Sequence, residues 1–277
     1  MDNDDLPIGK ILTRREALAL LGTISAAALA ACAPGQTPTA PTNVPATKIP
    51  ATNAPTTAPS QIAPTVAQAT ATTASAALPS CIVRPELTEG PYFVDEKLNR
   101  SDIRSDTSDG TVSPGAPLAL TVLVSQINGS NCTTLPNAQV DVWHCDAAGV
   151  YSGVTDPGFN SQGSNFLRGY QTTDENGMAK FVTIYPGWYR GRAVHIHFKI
   201  RTNPSDANGH EFTSQWFFDE ALTDQVHAQP PYDVSGKRTL LNDGDGIFRQ
   251  SGGQTMLDVS RNGDGYAATF NIGLQLS

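Results

Sequence analysis

Charge is scarce in this chain of 277 residues. Only 16% of them are Asp, Glu, Lys or Arg, and the balance is acidic, with a formal net charge of −8. No basic stripe is present that could neutralise phosphates, which excludes nucleic acid as a partner. Long apolar runs are also missing. The most extended, Ala17 to Ala31, is too short for a comfortable membrane span. No segment repeats at a period of roughly 20–50 residues, which argues against solenoids and propellers. Glycine, by contrast, is plentiful at 24 residues. Low charge with much glycine suits a loop-rich β-protein better than a helical bundle.

The N-terminus sets the compartment. Lys10, Arg14 and Arg15 precede the apolar run, which ends in small residues and so reads as an export signal over residues 1–31. Thr13-Arg14-Arg15-Glu16-Ala17-Leu18 has a twin-arginine pattern, the alternative being an ordinary positively charged start. Leu29-Ala30-Ala31-Cys32 resembles a bacterial lipobox, where cleavage before Cys32 leaves that thiol lipidated. From Ala33 to Ser80 the chain is nearly all Ala, Thr and Pro, and Lys48 is its only charge. Such a segment cannot bury enough apolar surface to offset its ordering entropy. Residues 32–80 are therefore expected to form a disordered tether. At roughly 3.1 Å per residue it reaches on the order of 100 Å from a membrane. The expected location is the outer side of the bacterial cytoplasmic membrane, held by a lipid.

The folded unit is expected over residues 81–277, as one domain. Its apolar pattern is mostly of period two. Leu118 to Val124 reads as a buried strand, and Val140, Val142 and His144 alternate with Gln139, Asp141 and Trp143 in another. Met178 to Tyr185 follows Asn176-Gly177, a hairpin signal. Val194, Ile196, Phe198 and Ile200 put one strand face into a core, and Phe270, Ile272 and Leu274 do the same near the end. Asp219 to Ala228 reads as a short helix. The fold class is all-β: a β-sandwich of mostly antiparallel strands with long loops.

The sharpest local feature is Arg192-Ala193-Val194-His195-Ile196-His197-Phe198. In a strand, His195 and His197 point to one side, about 7 Å apart at Cβ, and can converge on a metal. Copper, zinc and iron sites all use such a pair. Of the five histidines, His144 shares a face with Val142 and reads as a satisfied core residue, while His210 and His227 read as solvated. A copper or zinc site through His144 is one alternative. Two tyrosines offer another ligand set. Tyr189 sits in Pro186-Gly187-Trp188-Tyr189, a turn feeding the histidine strand, and Tyr151 follows the strand that ends at Trp143.

In chain order the motifs run Trp-x-x-x-Ala-x-Gly-x-Tyr from Trp143, Pro-Gly-x-Tyr from Pro186, Arg-x-x-His-x-His-Phe from Arg192 and Ser-Gln-x-Phe-Phe from Ser214. That order resembles the intradiol ring-cleavage dioxygenases, and most their secreted, signal-bearing branch. The likeness extends from Thr88-Glu89-Gly90-Pro91-Tyr92-Phe93 to Gly265–Phe270. It implies one Fe(III) per chain held by Tyr151, Tyr189, His195 and His197, with Tyr189 leaving the metal and accepting a proton when a catecholate binds. It makes Arg192 the residue that stabilises the electron-rich substrate facing O2. Gln215 lines the same pocket, with Tyr92 and Trp188 as weaker candidates for packing against substrate. The implied partners are a small aromatic diol and O2.

Only Arg190 and Gly191 separate Tyr189 from Arg192, where intracellular members carry a longer insertion. The mouth should therefore be more open. The long N-terminal helical segment by which catechol 1,2-dioxygenases dimerise is also missing, so no oligomeric state follows. Asn242-Asp243-Gly244-Asp245-Gly246 and Asn262-Gly263-Asp264-Gly265 resemble parts of calcium loops but lack the downstream glutamate, and are expected to be turns. Among Cys81, Cys132 and Cys145 three pairings are possible. Cys81–Cys132 is favoured, because Cys145 lies in a core strand where a free thiol packs well. The competing reading is a non-catalytic, surface-tethered β-sandwich that binds a metal or another ligand.

Overall fold

The computed structural model describes residues 82–206 and 208–276. The export signal over 1–31, Cys32, the tether over 32–80 and Cys81 lie outside the described residues. The described elements follow in the order β1 (Pro117–Asn128), β2 (Asn131–Thr134), β3 (Gln139–Trp143), β4 (Thr155–Asp156), β5 (Phe159–Asn160), β6 (Arg168–Thr172), β7 (Met178–Ile184), β8 (His195–Arg201) and β9 (Glu211–Phe217), then α1 (Glu220–His227), α2 (Gly246–Ser251), β10 (Val259–Asn262) and β11 (Gly265–Gln275).

Two sheets pack as a sandwich. In the first, β1 is the axis: β11 runs parallel to it from Leu118 to Ile127, while β7 and β2 share its other edge, both antiparallel. The second has the order β6-β3-β8-β9, antiparallel throughout. Alternation in β1 turns Leu118, Leu120, Val122 and Val124 inward, and the register of β3, β8 and β9 aligns Val142, Phe198, Ile196 and Trp216 to meet them. The ring of Phe270 from β11 reaches across to Phe198 and Trp216, at 5.5 Å between centroids in each case. Each such side chain, fully buried, contributes about 1.5–3 kcal/mol.

The opposite face of the second sheet positions the site. There Trp143, His197 and Gln215 form one cross-strand row, with His195 beside them. An N-terminal arm covers this face. Leu87 N–H donates to Thr213 O, Gln215 Nε2 to Thr88 O, and Arg201 pairs with Asp95, so β8 is buried on both faces. Lys199 adds an ion pair to Glu89. The arm is thereby tied down by charge as well as by backbone.

Two expectations are corrected. Asn176-Gly177 does not close a hairpin: β6 before it pairs with β3, while β7 after it pairs with β1 in the other sheet. Asp174 accepts from Asn176 N and Met178 N, and Gly177 takes a φ of 71°, so the local turn forms as the residues demand. The apolar face of Met178–Ile184 is what selects the other sheet. His227 is not solvated. It ends α1, donates Nε2–H to Pro186 O at 3.0 Å and stacks on Tyr232. His210 is exposed, as expected. The helix expected over Asp219–Ala228 is α1, capped by Asp219 through Leu222 N at 2.8 Å. Cys145 is free and buried. Cys132 is disulfide-bonded, to a partner outside the described residues.

Candidate metal centre

Two loops meet backbone to backbone under the site, and glycine makes the meeting possible. Asp146, just beyond β3, folds its loop by accepting from Ala148 N and Val150 N. Gly187 N donates to Asp146 O at 3.1 Å, and a side chain at Gly187 would collide with the carbonyls of Asp146 and Ala147. In return Gly149, at a φ of 86°, rests against Trp188 O, where a Cβ would have no room. The two tyrosine motifs thus interlock through their glycines. Tyr151 and Tyr189 are carried to a centroid separation of 5.7 Å.

The two hydroxyls converge on the histidines of β8. Tyr151 Oη lies 3.4 Å from His195 Nε2, Tyr189 Oη 3.3 Å from the same nitrogen, and His197 Nε2 3.0 Å from it. His195 donates Nδ1–H to Ala193 O at 2.7 Å, which leaves Nε2 as a bare lone pair. That nitrogen therefore faces a cluster of groups and can accept from only one well. Burial holds both imidazoles well below their ordinary pKa and pushes the Tyr151 phenol well above its own. His197 Nδ1 is buried without a hydrogen-bond partner.

These features fit a metal ion. Two ligand atoms bound at about 2.1 Å and at right angles stand about 3.0 Å apart, the separation seen between the two imidazole nitrogens. Neutral imidazoles are the ligating form, and a buried phenol ionises when a multivalent cation faces it. Two hard anionic oxygens with two nitrogens suit ferric iron. Among the described residues no three His, Cys, Asp or Glu side chains form a metal cluster, so the tyrosines are essential to this donor set. His144 does not contribute. Its Nδ1–H goes to Cys145 O at 2.8 Å and its Nε2 accepts from Thr183 Oγ1 at 2.7 Å.

Arg192 enters from the turn after Tyr189. Its Nη1 lies 3.5 Å from His195 Nε2, and its Nη2 donates to Gln215 Oε1 at 2.6 Å. Tyr92 stacks on Tyr151 at 4.4 Å and donates to Asp156 Oδ2 at 2.7 Å, forming one wall of the site. Trp188 instead packs against the main core, with its carbonyl on Gly149. Two residues were missed by sequence reasoning. Arg168, buried at the start of β6, donates to Ser152 and to Tyr92 O, tying the wall to the Tyr151 loop. Asp245, taken only for part of a turn, pairs with Arg192. A lone arginine opening a strand carries no sequence signal of this kind. The Asp-Gly-Ile-Phe string does announce a helix cap, but not what else the carboxylate holds.

A two-sheet β-sandwich with paired tyrosines and histidines converging outside one sheet is an arrangement whose donor set fits a single metal ion. Comparison with known proteins makes the assignment specific. A family model described as "Dioxygenase" matches residues 88–240. An intradiol ring-cleavage dioxygenase from Tetranychus urticae aligns over 70% of this chain and 95% of its own, at 31% identity and a TM-score of 0.60. Catechol 1,2-dioxygenase of Acinetobacter baylyi is 34% identical over 105 residues, 38% of this chain and 32% of that protein. The protocatechuate 3,4-dioxygenase beta chain of Burkholderia cepacia is 30% identical over 137 residues, 46% of this chain and 56% of that one. The chain therefore matches about a third and about half of the length of these two relatives. It belongs to the intradiol ring-cleavage dioxygenase family, a family of oxidoreductases.

Proposed function

We propose that the chain binds one Fe(III) through Tyr151, Tyr189, His195 and His197 and cleaves catechol-type rings between the two hydroxylated carbons. Both atoms of O2 enter a muconate-type diacid. The observation that carries this reading is the convergence of four donor atoms beside an arginine fixed in place. Ferric iron, when bound, supplies Lewis acidity and an electron acceptor that make an electron-rich diol reactive toward O2.

The protein's own residues divide the remaining work. Tyr151 and the two histidines are fully enclosed and hold their places, whereas Tyr189 is half-buried. Tyr189 is thus the ligand able to move aside and take a substrate proton at Oη. Arg192 sets a fixed positive charge beside the region where negative charge grows, a contribution of a few kcal/mol in preorganised sites. Gln215 orients that arginine, and Tyr92 and Tyr151 form an aromatic wall against which a ring can lie. A metal-binding scaffold without activity has no use for a guanidinium held in this way.

The domain is further read as the outer part of an exported lipoprotein, tethered through Cys32 and residues 32–80. Bulky polyphenols outside the cell are substrates such a tether makes reachable. Gly191 and Arg190 are exposed, and a Cβ at Gly191 would meet open space, so among the described residues this turn leaves the mouth open. The test is oxygen uptake over a panel of mono- and multi-ring catechols, with product analysis and visible spectra. Expected are a red-brown tyrosinate-to-iron band, cleavage between the hydroxyls, and efficiencies within about a hundredfold across the panel, or about 3 kcal/mol. A colourless, inactive, iron-loaded protein would refute the reading.

A further inference from the structure

The assignment of Arg192 rests on its orientation, and an arginine at an open turn does not hold itself. Gly191 beside it adopts a φ of 92°, and a Cβ built there would meet no described residue within 4 Å, so no side-chain packing steadies that flank. The restraint comes from elsewhere in the sequence, 53 residues on. Asp245 is 1% exposed and all of its visible valency is used. Oδ2 accepts from Arg192 Nε at 2.9 Å and from Ala193 N at 2.8 Å. Oδ1 accepts from Ile247 N at 2.8 Å and Phe248 N at 3.2 Å, which caps α2. The carboxylate cannot rotate without breaking bonds at both ends.

Its backbone is anchored just as firmly. Asp245 N donates to Asn242 O at 2.9 Å, and Asn242 in turn donates Nδ2 to Phe218 O at 2.8 Å and its backbone N–H to Glu220 Oε1 at 2.6 Å. Phe218 follows directly on β9, the strand that carries Gln215 beside His197. Arg192 is therefore gripped from two sides by groups rooted in the same strand, Asp245 on Nε and Gln215 on Nη2. The grip turns Nη1 toward His195 Nε2. A planar guanidinium held at two corners has one orientation left, which a lysine could not reproduce.

We propose that Asp245 is a positioning residue for the reaction: through Nε it aims the Arg192 guanidinium at the space between the metal ligands and the substrate. It contacts none of the four donor side chains, and its effect on the reaction runs through the Arg192 guanidinium, its bond to Ala193 N holding the backbone beside it. The inference rests on the dioxygenase reading above and extends it to a residue outside the ligand motifs.

Asp245→Ser separates the two duties, because serine is a good helix cap but is too short and uncharged to hold the guanidinium. Asp245→Asn, nearly isosteric, is the second variant and serves if the serine protein does not accumulate folded. The purified iron-loaded proteins are compared by oxygen uptake with catechol, anaerobic titration with 4-nitrocatechol, and the visible band. Expected for either variant is a kcat lowered about a hundredfold, as for a misplaced catalytic group. The affinity for 4-nitrocatechol should stay within about threefold, and the band should be unchanged. In an Arg192→Ala background the same substitution should cost less than about twofold more, because its effect passes through that arginine. A full kcat in the variants, or losses that multiply in the double variant, would overturn the positioning role. Wild-type protein that takes up no oxygen with any catechol would instead overturn the enzymatic reading itself.

Discussion

Removing one oxygen atom, through Tyr151→Phe, separates what the site does for stability from what it does for metal binding. The Tyr151 hydroxyl is fully buried, lies 3.4 Å from His195 Nε2 and shares a hydrogen bond with the Tyr189 side chain. A neutral hydrogen bond of this kind contributes only about 0.5–1.5 kcal/mol net. The ring itself is well packed, stacked on Tyr92 at 4.4 Å and edge-on to Tyr189, and phenylalanine keeps those contacts. The metal-free variant should therefore melt close to the metal-free wild type, at most about 6 °C below it. Iron widens the gap. A ligand present at a hundredfold its Kd adds about 2.7 kcal/mol, and for a domain of this size each kcal/mol moves Tm by about 2–4 °C. Wild-type protein should thus gain about 5–10 °C on loading with Fe(III). The variant, lacking one anionic ligand, should gain little and lose its tyrosinate absorption. The assay is calorimetry on chelator-stripped and reconstituted samples, with metal content determined on each. A wild type indifferent to stripping, or a variant that keeps the full shift, would refute the reasoning.

Arg192→Ala should retain iron and bind catechol, yet lose on the order of a hundred- to thousandfold in turnover, read by oxygen uptake beside metal analysis; loss of iron would recast Arg192 as structural. His144 gives a pH dependence whose sign follows from its burial. Desolvation lowers its pKa from 6.5 to about 4, so as pH falls the unfolded chain takes up the proton first. The stability it contributes is present above pH 6.5 and is lost as pH falls toward 4, on the order of 3 kcal/mol in all. Urea unfolding of His144→Gln should show a shallower acid slope than wild type over that window, and equal slopes would contradict it. Cys32→Ala should move full-length protein from the membrane fraction to a soluble or unprocessed form. If wild-type protein partitions wholly into the aqueous phase of a detergent separation, the lipid anchor is wrong.

What the residues determined alone was local and periodic. Alternation marked β1, β3, β8 and β11, because a strand with one face in a core must repeat every two residues. The spacing of His195 and His197 placed both rings on one side of β8 for the same reason, and the segment Asp219–Ala228 was legible as the helix α1. The family resemblance, rather than any local pattern, singled out Tyr151 and Tyr189 beside the histidines, and the fold brings their hydroxyls within 3.4 Å of His195 Nε2.

Partnership at a distance was decided only by tertiary structure. Asn176-Gly177 specifies a reversal, but whether the chain rejoins its own sheet depends on which apolar face waits for Met178–Ile184. His227 reads as polar and flanked by prolines, yet its burial is set by Pro186 and Tyr232, which come from other parts of the chain. Asp245 and Arg168 show the same limit. Each is one charged residue in an unremarkable string, and each acquires its role from a group more than ten residues away that the folded sheets bring within 3.1 Å. Short-range patterning follows from backbone geometry, which every residue carries with it. A buried ion pair or a ligand cluster follows from burial, and burial belongs to the assembled fold.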